Sequence, residues 1–304
     1  MQSDLKAIRP RRDSAYGPMG WKVNLMYVPV LLLIAFFIVY PFIHGIRISF
    51  TDWNGYSQSY RFVGIENYRR LFRERDMLNT IRNTLIYGFG SAILQNIFGM
   101  SFAIMLDKQI RGRSAVRTII YLPTMISGLI MGYIWYFMLR FKGGAVTELI
   151  RALGYKPKNL LQLGTQTVWI ITMVNVFQSS GTSMIFYQAG LQNISRQYYE
   201  ASEIDGATPW QQFWRITLPL LVPSITFNFV LNLIGSLKLF DMIKALTNGG
   251  PAGTTESLST MMYRLYFSSE QAGYAAALGN VMFLMIVLFS VIALTLLRSR
   301  EVQM

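Results

Sequence analysis

Six stretches of this chain run for 19 to 24 residues without one charged side chain. They cover residues 25–43, 83–106, 118–139, 168–191, 216–237 and 274–297. A helix rises 1.5 Å per residue, so about 20 apolar residues cross the hydrocarbon of a bilayer. One such run could be a buried helix of a large soluble protein. Six of them in 304 residues leave too little polar chain to cover a soluble core. Charged residues make up 14% of the chain, where a soluble domain carries about 25%. The sequence therefore predicts an all-α membrane protein with six transmembrane helices. No internal repeat or low-complexity linker divides it, so residues 1–304 are expected to form one transmembrane domain, with a basic leader over about 1–22.

That leader raises the question of a cleaved signal peptide. The first run is longer than a typical signal core, and no small-residue cleavage site is evident before "YPFIHGIRISF", so a retained span is expected. Orientation follows from Lys and Arg near the span ends. The leader holds Lys6, Arg9, Arg11, Arg12 and Lys22; "DKQIRGRSAVR" holds Lys108, Arg111, Arg113 and Arg117; the tail adds Arg298 and Arg300. With six alternating spans these fall on one side, which puts both termini in the cytoplasm. The opposite loops also carry Arg69, Arg70, Arg73, Arg75, Lys156 and Lys158, diluted there by Asp52, Glu66, Glu74 and Asp76. Within the first of these loops, Ile65, Tyr68, Leu71 and Phe72 recur at helical spacing between charges, the pattern of an amphipathic surface helix. In the last one, the Gly249–Pro251 turn precedes a short helical pattern at Leu258, Met261, Met262 and Leu265.

Composition narrows the chemistry. The chain has no cysteine and a single histidine, His44, so thiolate catalysis and a His- or Cys-built metal site are not expected. No G-x-x-x-x-G-K-[ST] stretch is present to cradle ATP phosphates, and no catalytic constellation stands out. A net charge of +13 fits loops beside anionic lipid rather than nucleic acid.

One segment breaks the apolar pattern. "EASEIDGATPWQQFWRITLPLLVPS" carries Glu200, Glu203 and Asp205, then Gly206, then an aromatic turn. Asp205–Gly206 supplies turn chemistry, since glycine adopts positive φ freely. Thr208 can cap a following helix with Pro209 in its first turn. Trp210, Phe213 and Trp214 then share one helix face. Leu218–Pro219 is read as the close of this element and the start of the next span. Spacing alone leaves two readings open: an interfacial helix whose tryptophans sit among headgroups, or a knob that docks on another protein.

The same segment resembles the EAA loop of ABC importer permeases. Glu200-Ala201-Ser202, three residues, Gly206, nine residues, then Ile216-Thr217-Leu218-Pro219 reproduce that family's spacing, with Ser202 in place of its second alanine. "SFTDWNG", "FVGIENYRRLF", "GLQNISRQYYEASEIDGA", "SLKLFDMIKALTNGGP" and "AGYAAALGNVMFL" are similar to the sugar-importer branch, so the resemblance runs through most of the chain. It implies the type I permease fold in a bacterial inner membrane, with a cytoplasmic coupling helix in the loop at about 192–219. Glu200, Ala201, Ser202, Asp205, Gly206 and Ala207 would then meet a separate ATPase. It also implies a second, similar permease, an ATPase dimer holding ATP and Mg²⁺, an extracytoplasmic solute-binding protein and a carbohydrate substrate.

Polar residues within a membrane are costly and face a cavity or another helix. Ser224, Asn228, Asn232 and Ser236 form one stripe in the fifth run, and Asn175, Gln178 and Thr182 lie in the fourth. Asn175, Gln178, Asn228, Asn232, Ser236 and, at the outer end, Lys238 are the candidate substrate path; interhelical glue is the competing reading. Asn83, Tyr87, Ser91 and Gln95 repeat the pattern in the second run, where glue is favoured. Lys238 beside outward Arg and Lys side chains leans toward an acidic saccharide, such as a uronate oligomer of the alginate kind. The bland alternative pairs Lys238 with Asp241 and turns the loop arginines to lipid or protein. An ion-coupled secondary transporter is the rival class, and a membrane-embedded enzyme a third. The first would want membrane carboxylates, which the six runs lack.

Overall fold

The computed structural model describes residues 27–107 and 111–301. The expectations for the leader, for Leu25 and for Lys108 lie outside these residues. The chain divides into two compact units, Met1–Ile48 and Ser49–Met304.

The first unit is described by one helix, α1, Val28–Ile48, of mean hydropathy 2.2. It widens to a π turn over Ala35–Val39. Phe36, Tyr40 and His44 stack along it at i, i+4 spacing, with ring centroids 6.2 and 6.0 Å apart. His44 thus sits on an aromatic column.

In the second unit every regular element among the described residues is helical; Thr51 and Phe62 make an isolated antiparallel bridge. A short helix, α2 (Glu66–Arg73), comes first. Its buried edge is Leu71, fully enclosed, with Tyr68 half-buried beside it, whereas Ile65 and Phe72 are exposed. Tyr68 Oη is also hydrogen-bonded by Asn280 Nδ2 at 3.0 Å. The helix is therefore docked into the bundle rather than only lying at the interface.

Three long helices form the centre: α3 (Met77–Asp107), α7 (Thr165–Gln192) and α9 (Pro209–Leu237). Between α3 and α7 come α4 (Arg113–Met125, its end wound as a 3-10 turn), α5 (Gly128–Leu139) and the short α6 (Ala145–Ala152). The α4–α5 pair bends by 99°, so the single straight span expected at 118–139 is instead a broken helix. The reason is local. Pro123 removes a backbone donor, and Ser127 caps a new helix by accepting from the N–H of Ile130. After α7 come α8 (Arg196–Ile204), α9, α10 (Asp241–Leu246), α11 (Leu258–Tyr263) and α12 (Ala272–Arg298).

Among the described residues four helices are long and apolar enough to cross a membrane, five if the bent pair counts as one. Helix α7, which contains the fourth run, is long enough at 28 residues but is interrupted by buried Thr172, Asn175, Ser180, Ser183 and Gln188. It lies against α3 and α9, so its polar groups meet protein. At the α3–α7 seam a side chain on Gly99 would collide with Ser183, whose backbone carbon stands 2.9 Å from the position of the missing Cβ. That close approach brings the backbones together.

The bundle has two ends. Thr165 of α7 lies with the 159–162 turn, where Thr167 Oγ1 donates to Leu160 O at 3.0 Å. The other end of α7, about 42 Å away at 1.5 Å per residue, lies with α8.

Candidate functional site

Helix α8 is capped at its start by Ser195, whose hydroxyl accepts from Gln197 N–H, and Asp205 is its C-cap. Gly206 then takes φ +80°. The N–H of Gly206 donates to Glu203 O at 3.0 Å, and that of Ala207 to Ser202 O at 2.9 Å, a Schellman closure. Space is open around Gly206, so its requirement is conformational. Thr208 caps α9 in a reciprocal capping box with Gln211, and Pro209 follows as the first helical residue.

The expected stop at Leu218–Pro219 does not occur. Helix α9 continues from Pro209 to Leu237 through a π turn at Phe213–Thr217. Pro219 lacks an N–H and its ring crowds the carbonyl four residues back, and the wider turn directly before it absorbs both effects. The loop is thus fused rigidly to a long helix. Gln212 Nε2 donates to Ser202 Oγ at 3.0 Å, and Tyr199 Oη lies 2.9 Å from Thr217 Oγ1, which fastens α8 to the base of α9. Ser202, the departure from the EAA pattern, supplies one of these bonds. The sequence did not reveal Gln212 or Tyr199 as clamps; the T-x-x-Q spacing of Thr208 and Gln211 was the one signal available, and it marks only the cap.

The outward side of this unit is unusual. Ile204 is 88% exposed and Trp210 68%. Trp210, Phe213 and Trp214 form a ring cluster with centroids 5.3 to 6.3 Å apart. Glu200, Ala201, Asp205 and Gly206 are exposed, and Ala207 is half-buried. Glu200 and Glu203 also line a groove of about 570 Å³ with Asp107, Arg113, Arg196 and Tyr199.

The candidate path residues separate into two groups. Asn175 Nδ2 donates to Ser91 Oγ at 2.9 Å and reaches Ser236 Oγ at 3.4 Å, while Gln95 Nε2 reaches Asn175 O at 3.4 Å. Asn232 Nδ2 donates to Ser183 Oγ at 2.9 Å and to Asn228 Oδ1 at 3.3 Å. These groups join α3, α7 and α9. Gln178 and Lys238 stand apart from them: both line a cavity of about 390 Å³ at the α4–α5 break, with Asp241 on its wall. Gln178 Nε2 donates to Ile126 O at 2.7 Å, which satisfies an open carbonyl of the break, and Thr124 Oγ1 donates to the backbone O of Gln178 at 2.8 Å, which ties the break to α7. No ion pair joins Lys238 and Asp241 among the described residues.

At the opposite end from α8, the 247–257 loop is tied to α3. Asn83 Nδ2 donates to Thr254 O and Glu256 O at 2.9 and 3.1 Å, and Tyr87 Oη to Thr255 O at 2.9 Å. Arg264 grips buried Glu256 with bonds of 2.8 and 3.0 Å, and that carboxylate raises the Arg264 pKa.

Comparison with known proteins agrees with this architecture. The chain is 35% identical to the probable starch degradation products transport system permease protein AmyD of Thermoanaerobacterium thermosulfurigenes, over 92% of this chain and 95% of that protein. It is 34% identical to the multiple sugar-binding transport system permease protein MsmF of Streptococcus mutans, over 93% and 97%. A subunit of a bacterial ABC transporter that imports the acidic polysaccharide alginate superposes with a TM-score of 0.80 at 26% identity, covering 93% of this chain and 96% of that one. Residues 95–301 match the family described as the binding-protein-dependent transport system inner membrane component. With two thirds of its length in that match and its relatives aligned end to end, the chain belongs to this family, the membrane permeases of ABC importers.

Proposed function

We propose that this chain is one of two permeases of a bacterial carbohydrate importer, and that it passes the solute from an extracytoplasmic binding protein to the cytoplasm by alternating access. The observation that carries the reading is the end-to-end alignment with permeases of sugar systems, AmyD and MsmF. In this reading residues 1–304 act as one transmembrane domain. It has six spans, α7 and the bent α4–α5 pair completing the four apolar helices, and both termini lie in the cytoplasm.

The α8–α9 unit is the coupling element. Its exposed acids and tryptophans suit a groove on an ATPase subunit, and its fusion to a continuous 29-residue helix suits transmission of a rigid push. ATP and Mg²⁺ bind to that partner, which forms a dimer. Gln178 and Lys238 face the solute, while Asn175, Asn228, Asn232 and Ser236 hold the surrounding helices in register. A secondary transporter would instead run uphill uptake without any ATPase.

The test is reconstitution in liposomes. The chain with its partner permease, ATPase and binding protein is expected to accumulate an oligosaccharide at the expense of ATP, and the chain alone is expected to hydrolyse none. Uphill uptake by the chain alone would overturn the reading.

A further inference from the structure

A second cavity, of about 630 Å³, opens where the end of α5, the 159–162 turn, α10 and the 247–251 segment meet. That volume falls within the roughly 300–1,000 Å³ of small-molecule sites. Its walls carry the rings of Tyr133 and Tyr136, the amides of Asn159 and Gln162, and the cations Arg140 and Lys244; no Asp or Glu lines it. Two other polar cavities differ: Lys238 shares its cavity with Asp241, and the groove beside α8 mixes two arginines with three acids.

The two cations are held by rings rather than by carboxylates. The Arg140 guanidinium lies 5.2 Å from the centre of the Phe137 ring, and Lys244 Nζ 4.5 Å from that of Tyr263. Neither belongs to an ion pair among the described residues. A ring positions a cation without cancelling its charge. Two such charges in one concave wall attract an anion, and a guanidinium fork suits a carboxylate.

We infer that this cavity is a receiving site for an anionic saccharide. Arg140 and Lys244 hold its carboxylate, a tyrosine face covers the apolar side of a sugar ring, and the amides bind hydroxyls. Helix α10 joins it to the inner cavity: its Asp241 end lines the Lys238 cavity and its Lys244–Leu246 end lines this one. A solute leaving the receiving site is therefore one short helix away from Lys238. The inference rests on the carbohydrate-importer reading and adds a site and a charge preference to it.

The experiment uses the complete importer in proteoliposomes, with uptake of a uronate trisaccharide and of maltotriose measured side by side. Arg140→Gln and Lys244→Gln are expected to lower the uronate-to-maltotriose uptake ratio at least tenfold, and Lys244→Arg to restore most of it. Gln162→Glu, at an exposed wall position, is expected to lower the same ratio by placing a carboxylate in the site. Equal loss for both sugars would assign the cavity to a shared step, such as docking an acidic segment of the binding protein, and would overturn the inference. An unchanged ratio, or a wild-type importer that takes up only maltotriose, would overturn it while leaving the importer reading intact. If the wild type takes up neither sugar, the carbohydrate reading falls and the site falls with it.

Discussion

Two polar connections lie at opposite ends of this bundle, and they treat their side chains in opposite ways. The 247–257 loop turns its polar groups inward: Thr255 and Glu256 are 0% and 5% exposed, and each loop carbonyl from Thr254 to Glu256 accepts a bond from α3. The α8–α9 connection satisfies its backbone within itself, through a Schellman closure and a capping box, and leaves its large apolar groups in the open. Buried polar groups that are all paired specify one arrangement of the chain. Exposed Ile204 and Trp210 on a rigid turn gain nothing from the monomer fold, and a cluster of such groups marks a surface made for a partner or a membrane. The first loop is a fastening; the second presents an apolar surface.

The sharpest break of this contrast is expected at Asn83. Replacing it with Leu removes both donors to Thr254 O and Glu256 O in a site that is 5% exposed. An unsatisfied buried acceptor costs about 1–3 kcal/mol, so a loss of about 3 kcal/mol is expected for the pair. Thermal unfolding of the full chain in detergent measures it. An unchanged midpoint would show that the loop is not fastened by these bonds. Coupling in any assembled complex should fall only as far as the amount of folded protein falls.

Gly206→Val is expected to act the other way round. A β-branched residue at φ +80° costs about 1–2 kcal/mol locally, and no neighbour stands within 4 Å to be displaced. The bundle should therefore survive while the α8–α9 turn loses its closure. Solute-stimulated ATPase activity of the complete importer is expected to drop about tenfold, the equivalent of 1.4 kcal/mol at the docking step. Full stimulation in a correctly assembled Gly206→Val complex would overturn the coupling role proposed for this turn.

The two connections were not equally legible. Gly206, Thr208 and Pro209 act through bonds that close within five residues, so local chemistry announced both the turn and the cap. Asn83 and Tyr87 were visible as a stripe, but their acceptors lie more than 165 residues away in the chain, and only the tertiary fold supplies them. Shorter but still long separations, of 84 and 49 residues, hid the pairing of Asn175 with Ser91 and of Asn232 with Ser183. The α4–α5 break failed differently: Pro123 and Ser127 were in view, but an unbroken apolar run outweighed them because hydropathy does not register direction. At the base of α9, Pro219 looked like a boundary because a π turn, which lets a helix pass a proline, leaves no clear mark in sequence.

Trp210→Ala is expected to have the smallest effect on the fold and to separate the two readings left for the aromatic cluster. The indole is 68% exposed, and its ring neighbours Phe213 and Trp214 remain in contact with each other at 5.3 Å after it is removed. A change of at most about 0.5 kcal/mol in unfolding is expected for so exposed a side chain. If the cluster docks on an ATPase, the exchange removes an aromatic anchor, and truncating an interface hot spot costs about 2 kcal/mol, or about thirtyfold in affinity. Association of the ATPase with detergent-solubilised permeases, where no bilayer is present, would then weaken. If the cluster instead sits among lipid headgroups, that association would stay the same, and only the position of the loop in a bilayer, read by quenching of tryptophan fluorescence with brominated lipid, would change. The alanine variant thus tests whether the exposed face of the α8–α9 turn is built for protein, as its acids Glu200 and Asp205 argue, since an anionic lipid surface would repel them.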